Sequence, residues 1–241
     1  MARTRVGRPT GPKPTVNVTE AAKAALRLGV DRFTMSEVAA ELGVVPSAMY
    51  RHIENREALV HEAVRTACAA MAPTVQGETW QDVLWGMTET MWETFERYPG
   101  LAATILTTPG AHVWAHPYIA RVIGALRERD FPGDEARAAF AVDIVGDLVI
   151  AHSIGIRHLR EADVDGVRGV DRARAIFEKL GRADPAAEAA AGGVAAFTPS
   201  ESWTGREALT LIVEFVLQAL DALPPSVPST HGTLYGRGMS G

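Results

Sequence analysis

Three observations predict an all-α fold. Apolar residues recur every three or four positions along most of the chain, helix-capping patterns open and close those runs, and strand-type alternation is scarce. With 241 residues, 47% of them hydrophobic, there is enough material for a substantial core.

The first helix is expected over about 17–28, where Val18, Ala21, Ala22, Ala25 and Leu26 share helical spacing and Gly29 closes the segment. Thr34 stands three residues before Glu37, the capping-box spacing, and opens a short helix carrying Val38, Ala39 and Leu42. Gly43 stops it. After a tight turn a further short helix, about 45–52, presents Val45, Met49 and Ile53 on one side. Two brief helices joined by a three- or four-residue turn containing Gly are the local design of a helix-turn-helix. A fourth helix runs from Arg56 to about Met71 and ends at Pro73.

Beyond it the elements lengthen. Thr79, Trp80, Leu84, Met87, Met91 and Phe95 build an amphipathic helix ended by Pro99, and Tyr118, Ile119, Val122, Ile123 and Leu126 build another. The segment 134–159 is apolar on nearly every side, which predicts burial against more than one neighbour. One short helix is expected around 171–180, while the Ala/Gly-rich run 185–196 fits either helix or mobile loop. Thr204 and Glu207 have capping-box spacing and open a final helix with Leu209, Ile212, Val213, Val216, Leu217 and Leu220. From Pro224 onward Pro, Gly and Ser dominate, and a disordered tail is expected.

Composition narrows the function classes. The single Cys68 cannot form an internal disulfide, and the first thirty residues carry no signal-peptide pattern, so a cytoplasmic protein is expected. Asp143, Asp147 and His152 interrupt the most apolar run, 140–156, and no membrane span is expected. The net charge of −5 is unevenly spread: residues 1–70 hold ten Lys and Arg against seven Asp and Glu, the remainder 14 against 22. Arg3, Arg5, Arg8 and Lys13 lie in an acid-free stretch. Such a basic arm suits contact with a polyanion, although a solvated tail looks the same in sequence.

The run 33–59, FTMSEVAAELGVVPSAMYRHIENREAL, resembles the DNA-binding segment of the TetR family of bacterial transcriptional regulators. The shared features are a Thr opening the second helix, an apolar-Ala-Ala core, Gly-Val at the turn, Tyr-x-His ending the recognition helix, and a basic residue before Ala-Leu at the next helix. This resemblance covers about residues 17–72. It implies an N-terminal three-helix helix-turn-helix DNA-binding domain followed by a larger helical ligand-binding and dimerisation domain. The expected division is a basic flexible arm over 1–14, the DNA-binding domain over 15–56, the effector-binding and dimerisation domain over 57–223, and a tail over 224–241.

The resemblance also places the DNA contacts. Thr34 would aim its hydroxyl and the neighbouring amides, including that of Ser36, at a phosphate, though it can also serve purely as a cap. Tyr50 and His52 would touch backbone or base edges; both are poor core residues, since a buried phenol or imidazole needs a partner. Arg56 would clamp a phosphate. Val45, Pro46, Ser47 and Ala48 open the recognition helix, and none is the Arg, Gln or Asn that pairs bidentately with guanine or adenine. Readout should therefore lean on thymine methyls and Ser47, with Arg51 adding a polar or phosphate contact. The basic arm would supply affinity from the backbone or minor groove.

For the rest of the chain the resemblance implies a homodimer, its last two long helices pairing with their copies as a four-helix bundle over a near-palindromic operator in double-stranded DNA. A small-molecule effector would sit among the middle helices, with Trp85, Trp92, His112, Trp114, His116 and His152 as candidate lining. Repression relieved by the effector is the expected mode; a dimeric DNA-binding protein without an effector is the alternative. No cofactor is expected. His112 and His116 have metal-ligand spacing, but Gly110 and Pro117 bracket them and a continuous helix is not expected there. An all-helical metal enzyme is disfavoured, since the sequence has no phosphate loop, nucleophile elbow, HExxH or paired Cys ligands.

Overall fold

The computed structural model describes residues 16–71, 77–183 and 198–222. The basic arm, the run 185–196 and the tail from Pro224 lie outside them. Among the described residues the fold is all-α, with a lone antiparallel bridge between Ala162 and Arg168.

The N-terminal part consists of α1 (Val18–Leu28), α2 (Met35–Glu41), α3 (Pro46–Met49) and α4 (Arg56–Ala70). Asn17 starts α1 by accepting the Thr19 N–H at 2.9 Å, and Asn55 starts α4 by accepting the Ala58 N–H at 2.9 Å. Each cap satisfies an amide that the first turn leaves without a partner. Ala21, Ala22, Ala25 and Leu26 of α1 are fully buried, as are Leu59, Ala63, Val64 and Ala67 of α4. Small side chains on both faces let these two helices pack closely.

The larger body comprises α5 (Trp80–Arg97), α6 (Leu101–Thr107), α7 (His112–Glu128), α8 (Glu135–Arg160), α9 (Gly169–Ala183), a 3₁₀ turn at Glu201–Thr204, and α10 (Glu207–Ala222). The helix α8 lies at its centre, against α5, α6, α7, α9 and α10. By length and composition α8 could cross a membrane; its neighbours on so many sides make it a core helix. Gly146 faces the ends of the Met87 and Met91 side chains of α5. The helix α4 also packs on α6 and α7, so it joins the N-terminal part to the body.

Three expectations need correction. The helix α7 is continuous through Pro117, so His112 and His116 do share one helix. Pro117 stands near its start and forfeits a single N–H bond, while Tyr118, Val122 and Leu126 remain buried beyond it. Thr204 does not open α10: its hydroxyl donates to the Glu201 carbonyl at 2.7 Å inside the 3₁₀ turn. The first α10 bond instead runs from the Thr210 N–H to the Arg206 carbonyl. The helix near 171–180 is longer at both ends, spanning Gly169–Ala183.

Candidate nucleic-acid interface

The geometry of the helix-turn-helix begins at Thr34. Its N–H and its hydroxyl both donate to the Glu37 carboxylate, at 2.7 and 2.8 Å, and its hydroxyl accepts the Glu37 N–H at 3.2 Å. Those bonds, the hydroxyl's first and the amide's second, hold the Glu37 carboxyl below the usual carboxylate range. The box fixes where α2 starts. At its other end Gly43 adopts φ +67°, a left-handed conformation that a side chain resists. The Val44 N–H then reaches back to the Ala39 carbonyl at 2.9 Å.

Pro46 occupies the first turn of α3, where its missing N–H would have had no helical partner. Met49 is fully buried and Ile53 nearly so, which pins one side of the turn. The opposite side is therefore presented outward. Val45 is 63% exposed and Tyr50 55%; Pro46, Ser47, Arg51 and His52 are exposed and Ala48 is half-buried. Among the described residues the side chains of Ser47, Tyr50, Arg51 and His52 have no hydrogen-bond or ion-pair partner. Thr34 and Ser36 lie exposed at the start of α2. The fold thus places nine of the ten candidate DNA contacts on α2, α3 and the residues that flank them.

Arg56 is the tenth, and its guanidinium reaches back to the loop before α2. Its Nε donates to the Phe33 carbonyl and its Nη2 to the Asp31 carbonyl, both at 2.9 Å, with the guanidinium stacked 4.7 Å over the Phe33 ring. A cation turned into backbone carbonyls is a fastener for the loop before α2. The Arg51 side chain, in the turn that follows α3, has no such partner.

The five effector candidates whose side chains are described lie on three helices. Trp92 is buried in α5 and Trp85 half-buried on the same helix; Trp114 and His116 are exposed on α7, which His112 opens. The His152 ring, on α8, approaches the Leu148 carbonyl at 2.9 Å. Trp85 alone borders a recess of about 220 Å³ between α5 and α10, together with Gln81, Glu214, Leu217, Gln218 and Asp221. No cluster of three potential metal ligands occurs among the described residues.

A larger cavity, about 370 Å³, lies where the α1–α2 loop meets the body, and none of the six borders it. Arg157 spans it, donating to Asp31 at 2.9 Å and to Glu161 at 2.7 Å. Burial works against its charge, but the bonds to Glu161 and Asp31 outweigh that and raise its pKa. Gly100, at φ +82°, lets the Asp31 carboxylate close in; a Cβ there would stand 2.0 Å from it. Beside it the Val30 N–H donates to the Pro99 carbonyl at 3.1 Å. Sequence reasoning missed this junction because Asp31 and Arg157 are 126 residues apart.

Residues 18–63 match the sequence profile of the bacterial regulatory proteins of the tetR family. Among solved structures, ActR of Streptomyces coelicolor in complex with actinorhodin aligns with a TM-score of 0.64 at 19% identity, covering 86% of this chain and 96% of that one. A possible TetR family transcriptional regulator from Streptomyces coelicolor A3(2) aligns at 0.62 and 19% identity, covering 85% and 96%. The chain has the fold and the N-terminal signature of the TetR family. A further TetR regulator from Streptomyces coelicolor aligns at 0.54 and 23% identity, covering 87% and 97%. No curated protein is similar enough in sequence to match. Within this TetR-family fold the matched segment spans α1 to α3 and half of α4, and the remainder is the larger helical body.

Proposed function

We propose that this protein is a dimeric regulator that docks α3 in the major groove of a near-palindromic DNA site and leaves it when a small molecule binds the body. The observation that carries the reading is the outward side of α3 and of the turn that follows it: four polar side chains without partners, beside an exposed Val45, fixed from beneath by Met49. Val45 and Ala48 suit thymine methyls, Ser47 a base edge, Tyr50, Arg51 and His52 the phosphate backbone. Thr34 and Ser36 would face an adjacent phosphate.

Dimerisation supplies the second recognition helix, one DNA turn away. Leu211 and Phe215 of α10 are 65% and 71% exposed one helical turn apart, with Ile212 beside them, an apolar strip suited to a second copy. Repression in the cytoplasm, relieved by an effector in the body, is the reading that the family fold and the ActR–actinorhodin complex support.

Selection of bound fragments from a random DNA pool tests the DNA-binding reading. A defined consensus is expected from the wild type, and Tyr50→Ala should bind that consensus at least tenfold more weakly. Enrichment of no sequence would overturn it. The arm enters the same experiment: deletion of residues 2–13 should flatten the slope of log affinity against log salt.

A further inference from the structure

We propose that the ion pair between Asp31 and Arg157 is a positioning link that holds the helix-turn-helix at one attitude to the body, and so sets which spacing of DNA half-sites the protein accepts. Of the four N-terminal helices, α4 makes the main packing on the body, against α6 and α7, while α1, α2 and α3 pack chiefly on α4 and on one another. One helix is a poor joint. The part it carries can swing about the helix axis unless a second attachment stands off that axis.

The α1–α2 loop supplies that attachment. The Val30 N–H donates to the Pro99 carbonyl at 3.1 Å, in the turn before α6. Asp31 accepts from Arg157 at 2.9 Å across 126 residues, which ties the loop to α8 at the centre of the body. Both partners are set for the contact. Gly100, at φ +82°, leaves room for the Asp31 carboxylate, since a Cβ there would stand 2.0 Å from it. Glu161 accepts from the Arg157 Nε at 2.7 Å and so orients the guanidinium. The Arg157 and Asp31 side chains are 23% and 32% exposed, a setting in which a charged hydrogen bond is stronger than in open water. Arg32, 63% exposed and 3.8 Å from Glu161, adds little.

The same loop is tied to the recognition helix. Arg56, at the start of α4, holds the Asp31 and Phe33 carbonyls at 2.9 Å. Thr34 follows directly and starts α2 with its capping box, and the Gly43 turn and buried Met49 join α3 to α2. Asp31 therefore has its carbonyl gripped from the N-terminal part and its carboxylate gripped from the body. Loss of the pair would reach α3 as a swing of the whole N-terminal part. Each base pair added between two half-sites moves them about 3.4 Å apart and turns them by about a tenth of a turn, so the range of attitudes decides the spacings accepted. That last step rests on the function proposed above; the mechanical link does not.

The test places nitroxide labels on Ser47→Cys and Ala120→Cys, exposed on α3 and α7, and reads their separation by pulsed electron resonance without DNA. Dilution into excess unlabelled protein confines the signal to distances within one chain, and buried Cys68 is shielded from the label. The parent should give a narrow distribution. Asp31→Asn and Arg157→Gln should each at least double its width, and the double variant should broaden it no more than either alone. A label pair inside the N-terminal part, Ser47→Cys with Ala69→Cys, should stay narrow throughout. An unaltered width in either single variant, additive broadening in the double, or broadening of the inner pair would each overturn the proposal. On duplexes with a spacer one base pair longer or shorter than the selected one, the parent should lose at least tenfold in affinity and the variants less than threefold; equal losses would overturn the link to spacing. Selection of no DNA by the parent would count against the function proposed above, while the label distances still judge the link on their own.

Discussion

The two parts of this molecule are held by contacts of different reach. In the N-terminal part the defining bonds are local: Asn17 to Thr19, Thr34 to Glu37, Ala39 to Val44, Asn55 to Ala58. In the body they join remote segments. Arg206 donates to both Glu89 carboxylate oxygens at 2.7 Å across 117 residues, Arg137 reaches the Leu220 carbonyl across 83, and Arg160 holds Glu96 across 64. A bond between close neighbours leaves a short string in the sequence, such as a Thr three residues before a Glu. A bond across a hundred residues leaves nothing local, because its partner is chosen by how helices pack.

The largest expected effect tests whether these parts fold separately. Leu59 is fully buried on α4, the helix that touches both. Leu59→Ala should cost about 2–5 kcal/mol, as large-to-small core changes do, and lower a single denaturant transition of the whole chain. Two transitions, with only the first shifted, would make the parts independent and the contrast one between domains. Leu126→Ala in α7, equally buried, is expected to match it.

A smaller effect probes the longest-range bond of the N-terminal part. Arg56→Met keeps an apolar contact with Phe33 but loses the donors to Phe33 and Asp31. The expected loss is about 2 kcal/mol, since hydrogen bonds from a charged group contribute more than neutral ones. Arg56→Lys should not restore it, because one ammonium cannot serve both carbonyls from the position of a planar guanidinium. Gly100→Ala comes next. It places a side chain at φ +82° against the Asp31 carboxylate, with a backbone cost of roughly 1–2 kcal/mol. Chemical denaturation reads both.

This contrast also explains what was legible in advance. The all-α fold, the bounds of α1 and α4 and the position of the helix-turn-helix were written in caps, small-residue faces and the turn glycine. The outward placement of Tyr50 and His52 followed from their poor fit to a core. The bond from Arg56 to the loop could not be read, because an Arg at a helix start looks the same whether or not it reaches a carbonyl 23 residues back. The setting of the effector candidates was not legible either. Aromatic and His side chains mark a pocket only after packing decides which way each points, and here Trp92 turns inward while Trp114 and His116 face out.

The smallest effect sharpens the comparison by using one device found in both parts. Thr79 and Asp82 form at the start of α5 the same box as Thr34 and Glu37, with the Thr79 hydroxyl and the Asp82 carboxylate 2.8 Å apart. The Asp82 carboxyl is held below its usual range by the Thr79 amide and then the Thr79 hydroxyl, just as Thr34 lowers that of Glu37. A carboxyl whose folded pKa lies below its unfolded one adds stability that is present above the unfolded value and lost as pH falls through the folded one. Thr34→Ala and Thr79→Ala should therefore each cost about 1 kcal/mol at neutral pH, the usual worth of a helix cap. Both costs should shrink together below the ordinary carboxylate range, as protonation removes the charged partner in the parent. Matching profiles would mean that local chemistry is shared across the molecule and that only reach distinguishes its two parts. A cost that falls with pH for one threonine and not for the other would show that the body's remote ion pairs alter even its caps.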